Sequence, residues 1–124
     1  MSQESQILVI EDNPLNMELI CDLLRADGWG VIEAENAYSG LDALNTIRPD
    51  LILMDIMLPG MSGIEATQKI KSQQDTRDIP IIAVTASPIS RANKDWATCE
   101  FADIVCKPFT IADVRRAVHS VLCG

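Results

Sequence analysis

The chain has 124 residues, 48% of them hydrophobic and 23% charged, with a formal net charge of −8. That is one domain's length with enough apolar material for a single core. It excludes a disordered composition and the clustered Lys/Arg of a non-specific nucleic-acid binder. Met1-Ser2-Gln3-Glu4-Ser5-Gln6 has neither a basic region nor an apolar signal core. No apolar run approaches the ~20 residues needed to cross a bilayer. The expectation is a cytoplasmic protein without a membrane or direct nucleic-acid partner. Cys21, Cys99, Cys106 and Cys123 show no CxxC pair and no metal-ligand spacing, so they read as free thiols.

In chain order, Gln6 to Glu11 reads as a strand with an unalternating apolar run, Ile7-Leu8-Val9-Ile10. Asp12-Asn13-Pro14 interrupts it, and Pro14 suits the first turn of a helix. Leu15, Leu19, Cys21, Leu23, Leu24 and Ala26 continue that helix, which Gly28 ends. Gly30 to Ala34 is a short strand, and Ala37 to Ile47 a second helix that Pro49 prevents from continuing. Leu51-Ile52-Leu53-Met54-Asp55 is another unalternating run, as expected of a strand buried on both faces. Ile56 to Gly63 carries Pro59, Gly60, Ser62 and Gly63, which stop that strand. A third helix has Ile64, Ala66, Thr67 and Ile70 inward, and Asp75 to Asp78 is a polar loop. Pro80 to Thr85 is the fourth strand, Ser90 to Cys99 a less amphipathic helix, and Ala102 to Cys106 the fifth strand. Lys107-Pro108 precedes a last helix to Leu122, with Thr110 as N-cap and Asp113 at its third position. Five β–α alternations with short connections call for a parallel sheet covered by helices on both faces.

In such a sheet all carboxyl ends of the strands lie on one edge, where open α/β folds bind ligands. Glu11 and Asp12 end strand one, Asp55 strand three, Thr85 strand four and Lys107 strand five. An acid after a strand is either a cap for the loop or a reactive group. One or two of these residues would pass as caps, but five converging on one crevice require another explanation. Carboxylates ~4 Å apart repel by roughly 4 kcal/mol per pair at an effective dielectric near 20, so the cluster needs a cation. Few, water-accessible oxygen ligands suit Mg²⁺ better than Zn²⁺, and Lys107 adds a charge that can meet an anion. A carboxylate beside a divalent metal and a lysine can attack a phosphoryl group. Asp55 is the best nucleophile, because the turn after it leaves room for a donor. Glu11 and Asp12 are better metal holders.

Taken together, Glu11-Asp12-Asn13, Leu53 to Gly63, Val84-Thr85-Ala86 and Lys107-Pro108-Phe109 resemble the response-regulator receiver domains of two-component signalling, over nearly the whole chain. The resemblance implies a flavodoxin-like (βα)5 three-layer α/β fold with strand order 2-1-3-4-5, residues 1–124 forming one receiver domain without an output domain. It implies a phosphoacceptor signalling domain rather than a turnover enzyme: Asp55 takes phosphate from a phosphohistidine on a histidine kinase or histidine phosphotransfer protein. Asp12, Asp55 and the main-chain carbonyl of Met57 would bind Mg²⁺, with Glu11 acting through water. Thr85 and Lys107 would meet phosphoryl oxygens, and the Lys107-Pro108 bond would be cis. The segment from Glu11 to Leu19 is similar both to stand-alone cell-division and polarity regulators and to receivers of hybrid kinases.

Two departures are visible. Ile104 stands three residues before the lysine, where many receivers carry an aromatic ring, which removes the usual ring rotation. Apolar Met57, like Ser87, sits where the family varies water access, so a long-lived phosphate is expected. Output is expected from the face of the helix over Ser90 to Cys99, the fifth strand and the last helix. A metal-dependent phosphatase with an aspartate nucleophile would want a second acid where Met57 stands. A nucleotide or flavin carrier would want a glycine-rich phosphate loop, and neither GxGxxG nor GxxxxGK[ST] occurs. His119, Trp29 and Trp96 read as packing or surface residues, Phe101 and Phe109 as core.

Overall fold

The computed structural model describes residues 5–86 and 99–123. Five parallel strands, β1 (Gln6–Ile10), β2 (Gly30–Ala34), β3 (Leu51–Asp55), β4 (Ile81–Thr85) and β5 (Asp103–Cys106), form one sheet in the order β2-β1-β3-β4-β5. This is the flavodoxin-like order expected. Every residue of β3 and β4 is buried, which is why their sequences do not alternate: helices cover both faces.

Two cores result. Ile7, Val9, Leu51, Leu53, Ile82 and Val84 point to one side, against Ile20 and Leu24 of α1 (Pro14–Ala26) and Val114 and Val118 of the C-terminal helix (Ile111–Leu122). Leu8, Ile10, Ile52, Met54, Ile81 and Ala83 point to the other. There they meet Ala37 of α2 (Ala37–Ala43) and Ala66 and Ile70 of α3 (Gly63–Lys71). No helix among the described residues is long and apolar enough to cross a membrane.

The helix ends follow local rules. Asn13 caps α1, its Oδ1 accepting from the amides of Leu15 (2.9 Å) and Asn16 (3.1 Å), with Pro14 just inside. Gly28 follows α1 with φ +93°, the left-handed position that ends many helices. Thr110 and Asp113 form the capping box: the Asp113 amide donates to Thr110 Oγ1 (3.1 Å) and the Thr110 amide to Asp113 Oδ2 (2.9 Å). Arg115 forks onto Asp27 at 2.8 and 3.1 Å, tying the C-terminal helix to the end of α1.

Two expectations need correction, the end of the second helix and the placing of Phe101 and Phe109. The second helix stops at Ala43, not Ile47; Asn45 and Thr46 donate to carbonyls three residues back, winding the last turn tightly. In α1 the buried face is Met17, Ile20, Cys21, Leu23 and Leu24, while Leu15 (76% exposed) and Leu19 (40%) face solvent. Phe101 and Phe109 are half-buried against the cores rather than inside them. The helix expected over Ser90 to Cys99 falls mostly, and Ser87 and Trp96 wholly, outside the described residues. None of the four cysteines is in a disulfide; Cys21 and Cys99 are buried, Cys106 and Cys123 exposed. His119 is exposed and meets Trp29 edge to face at 6.4 Å.

Gly63 opens α3 directly behind the end of β3. A Cβ there would collide with the Asp55 carbonyl oxygen and stand 2.7 Å from Ile56 Cα, both backbone atoms that cannot yield cheaply. Gly63→Ala should therefore lower unfolding stability by about 1–3 kcal/mol. Urea denaturation reads this directly, and an unchanged midpoint would contradict so close an approach of helix and strand.

Candidate functional site

Strand register brings the polar residues level. Ile10 pairs with Met54, so Glu11, one residue on, lies abreast of Asp55; Asp55 pairs with Val84 and Thr85 with Cys106. Glu11, Asp55 and Thr85 are each at most 2% exposed, whereas Asp12 opens to solvent. Glu11, Asp12 and Asp55 each offer a carboxylate oxygen within 4.8 Å of the others.

Hydrogen bonds fix the two buried acids. The Met57 amide donates to Asp55 Oδ1 (3.1 Å), which turns the chain sharply and holds the carboxylate at the strand end. Lys107 Nζ reaches Asp55 Oδ2 at 3.2 Å and Glu11 Oε1 at 3.5 Å. The Asn13 amide donates to Glu11 Oε2 (3.1 Å). The Lys107 amide donates to the Thr85 carbonyl (2.7 Å), continuing the β4–β5 ladder past its last pair, and the peptide bond to Pro108 is cis, as expected.

Glu11, Asp12, Asp55 and Lys107 thus meet in one crevice, and Thr85 ends the strand next to that of Asp55. Two contacts were not legible beforehand. Lys107 bridges Glu11 and Asp55 directly, across the full width of β3 and β4. Asn13 holds Glu11 while capping α1; an Asn just before a Pro at a helix start is the signal that would have suggested the cap.

The electrostatics favour a cation. Glu11 Oε1 is buried and makes no hydrogen bond, its only cation among the described residues, Lys107 Nζ, standing 3.5 Å away. Burial pushes the Glu11 carboxyl up to about 7, and the neighbouring Asp55 adds to the rise. The Asn13 amide and Lys107 pull the other way. Three close carboxylates, met by one lysine, form an all-oxygen donor set that fits a hard divalent ion such as Mg²⁺.

Residues 7–119 match the response regulator receiver domain family. The chain belongs to that family. It is a phosphoacceptor domain of two-component signalling. The receiver is 49% identical over 80 residues to the polar-differentiation response regulator DivK of Brucella anthropi, covering 64% of this chain and 65% of that protein. The match thus spans just under two thirds of the relative's length. The receiver domain of a Pseudomonas aeruginosa sensor histidine kinase, with a magnesium ion coordinated in its active-site cleft, superposes with a TM-score of 0.88. That pair is 31% identical over 98% of this chain and all of the other. A Vibrio cholerae chemotaxis response regulator, 20% identical, shares the fold with a TM-score of 0.90 over 97% of this receiver and all of the other chain.

The raised Glu11 carboxyl has a consequence for stability. The folded protein keeps this proton up to about pH 7, while an ordinary carboxyl releases it near 4.5. The group's contribution is therefore full below pH 4.5 and lost as pH rises through about 7. In EDTA, Glu11→Gln should remove a decline of roughly 1–3 kcal/mol over that window. Superimposable pH profiles of thermal midpoint for wild type and variant would refute the assignment.

Proposed function

We propose that Asp55 is the phosphoacceptor of this receiver and that its phosphoryl group comes from a phosphohistidine on a histidine kinase or histidine phosphotransfer protein. The observation that carries the reading is the pinning of the Asp55 carboxylate, one oxygen by the Met57 amide and the other by Lys107 Nζ, beside two further carboxylates. A carboxylate so held has few conformations to lose on reaching the attack geometry.

In the transfer, a carboxylate oxygen of Asp55 forms a bond to phosphorus. The bond from phosphorus to the imidazole nitrogen breaks, and its electron pair leaves with the donor ring. Glu11, Asp12, Asp55 and the main-chain carbonyl of Met57 would hold Mg²⁺, Glu11 acting through water. The ion supplies charge neutralisation at the transferring oxygens. Lys107, already 3.2 Å from Asp55, exchanges its carboxylate partner for a phosphoryl oxygen. The Thr85 hydroxyl, on the adjacent strand, donates to another. Exposed Leu15 and Met57, close in chain to Asp12 and Asp55, give the rim an apolar surface for the donor protein.

The domain catalyses only its own phosphorylation and dephosphorylation. Its signal passes by protein–protein contact through the face of the helix expected over Ser90 to Cys99, β5 and the C-terminal helix, as phosphorylation shifts a two-state equilibrium. The Lys107 amide bond to the Thr85 carbonyl couples that face mechanically to the site. We read the chain as a cytoplasmic receiver of one domain; a place within a hybrid kinase is the alternative, which the Pseudomonas relative supports. The phosphatase reading loses ground to the exposed, apolar Met57 at the position where a second acid is needed.

With Mg²⁺ and acetyl phosphate the protein should gain one phosphoryl group, about 80 Da by mass spectrometry. Asp55→Asn should abolish the adduct, and Lys107→Ala should slow its formation at least tenfold, the order expected for losing a charge-assisted contact. No adduct on the wild-type protein would overturn the reading. Because Met57 offers no group to orient a water, the adduct should survive for minutes or longer without a phosphatase. Complete loss within seconds, followed by the same mass measurement, would contradict this role for Met57.

A further inference from the structure

The loop after Asp55, residues 56–62, carries two backbone groups of the site. The Met57 amide donates to Asp55 Oδ1 (3.1 Å), and the Met57 carbonyl is the one proposed to meet Mg²⁺. Ile56, Leu58 and Met61 point inward and are buried, whereas Met57, Pro59 and Gly60 are exposed. Gly60 takes φ +77°, and a glycine has more backbone freedom to lose than any other residue. Against this outer side stands Tyr38. A Cβ on Gly60 would lie 3.4 Å from Tyr38 Cε2 and 3.9 Å from its hydroxyl oxygen, so the ring covers the side of Gly60 where a side chain would project.

Tyr38 is itself held from behind. Ala37 is wholly buried, the Asn36 side chain accepts from the Ser39 amide (2.8 Å), and a Cβ at Gly40 would collide with the Ile10 side chain. The start of α2 is therefore pressed onto β1, yet its second residue is an aromatic left 61% exposed. Core packing does not account for a ring so placed; its contact with the loop does.

We propose that Tyr38 is a positioning residue for phosphoryl transfer, its ring bracing the loop at Gly60 and so holding the Met57 backbone in the shape that Mg²⁺ requires. The inference rests on the reading of Glu11, Asp12, Asp55 and Met57 as metal holders. Tyr38 acts through Gly60 and Met57, not on the reacting atoms. Without the ring the ion itself must order the loop, and that cost is subtracted from its binding free energy. Once the ion is bound the same geometry is reached, so the transfer step changes little.

The experiment is calorimetric titration of the whole chain with Mg²⁺, joined to the rate of labelling by acetyl phosphate at rising Mg²⁺. Tyr38→Ala should weaken Mg²⁺ binding about three- to tenfold, the order expected for losing preorganisation at one loop contact. Labelling should half-saturate at correspondingly higher Mg²⁺, while its rate at saturation stays within about twofold of wild type, because the attack geometry is then restored. In EDTA the Met57 amide should exchange with solvent roughly threefold faster or more in this variant. Tyr38→Phe keeps the ring and should match the wild type throughout. Val121→Ala, which thins the core on the other face of the sheet, should lower the thermal midpoint and leave Mg²⁺ affinity unchanged. Unchanged affinity in Tyr38→Ala would overturn the proposal, and so would equal weakening in Tyr38→Phe or in Val121→Ala. A wild-type protein that binds no Mg²⁺, or an Asp12→Asn variant that binds it as well, would instead remove the metal reading on which the proposal stands.

Discussion

Three carboxylates cannot share one edge of a sheet unless positive charge stands among them. Much of the arrangement of this receiver follows from that constraint. Glu11 and Asp55 are buried side by side with Asp12 at the mouth, and Lys107 is the cation the chain itself provides. It contacts two of the three acids, Asp55 at 3.2 Å and Glu11 Oε1 at a looser 3.5 Å, so one cation faces three carboxylates and the compensation is incomplete. The remaining deficit is the physical basis of metal affinity: a site with its charges fully paired would have no reason to take a divalent ion.

The same deficit weighs on folding. Burial drives the Glu11 carboxyl upward because the ionised form is the one the site tolerates poorly. The cost is carried by the sheet behind it, where β3 and β4 are buried at every position and two apolar cores press from opposite sides. A rigid backing also serves the chemistry. Gly63 lets α3 start against the Asp55 carbonyl, and the Met57 amide holds the Asp55 side chain. Asp55 is therefore fixed by backbone atoms on either side of it. Such a constellation is better held by strand ends than by loops, since its geometry is set by ladder hydrogen bonds.

Where charge lies outside the crevice also matters. The two edges of the sheet differ: on the β2 side a groove of carboxylates opens toward the cluster, with Arg25 tied to Glu33. On the β5 side Lys107, Pro108 and Phe109 adjoin Asn16 and Leu19 of α1 in a groove of about 370 Å³ with an apolar share.

The kind of sheet, the identity of the polar residues at its carboxyl edge and most element boundaries were legible in the amino-acid order alone. Those features depend on local signals: unalternating runs for doubly buried strands, Pro and Gly as breakers, and Thr110 with Asp113 as a capping box. It misjudged the end of the second helix at Ala43, and it left open which apolar residues of α1 face solvent, as Leu15 and Leu19 do. Apolarity at helical spacing does not say which turn is tightened, or which face a neighbouring element covers. The expected meeting of Lys107 with the acids took its geometry from folding: Lys107 bridges Glu11 and Asp55 at once, the Asn13 amide steadies Glu11, and Glu18, Asp22 and Glu35 share a groove with Glu11 and Asp12. Those contacts join residues far apart in the chain, and their distances are set by strand register and helix packing, quantities that no local pattern encodes.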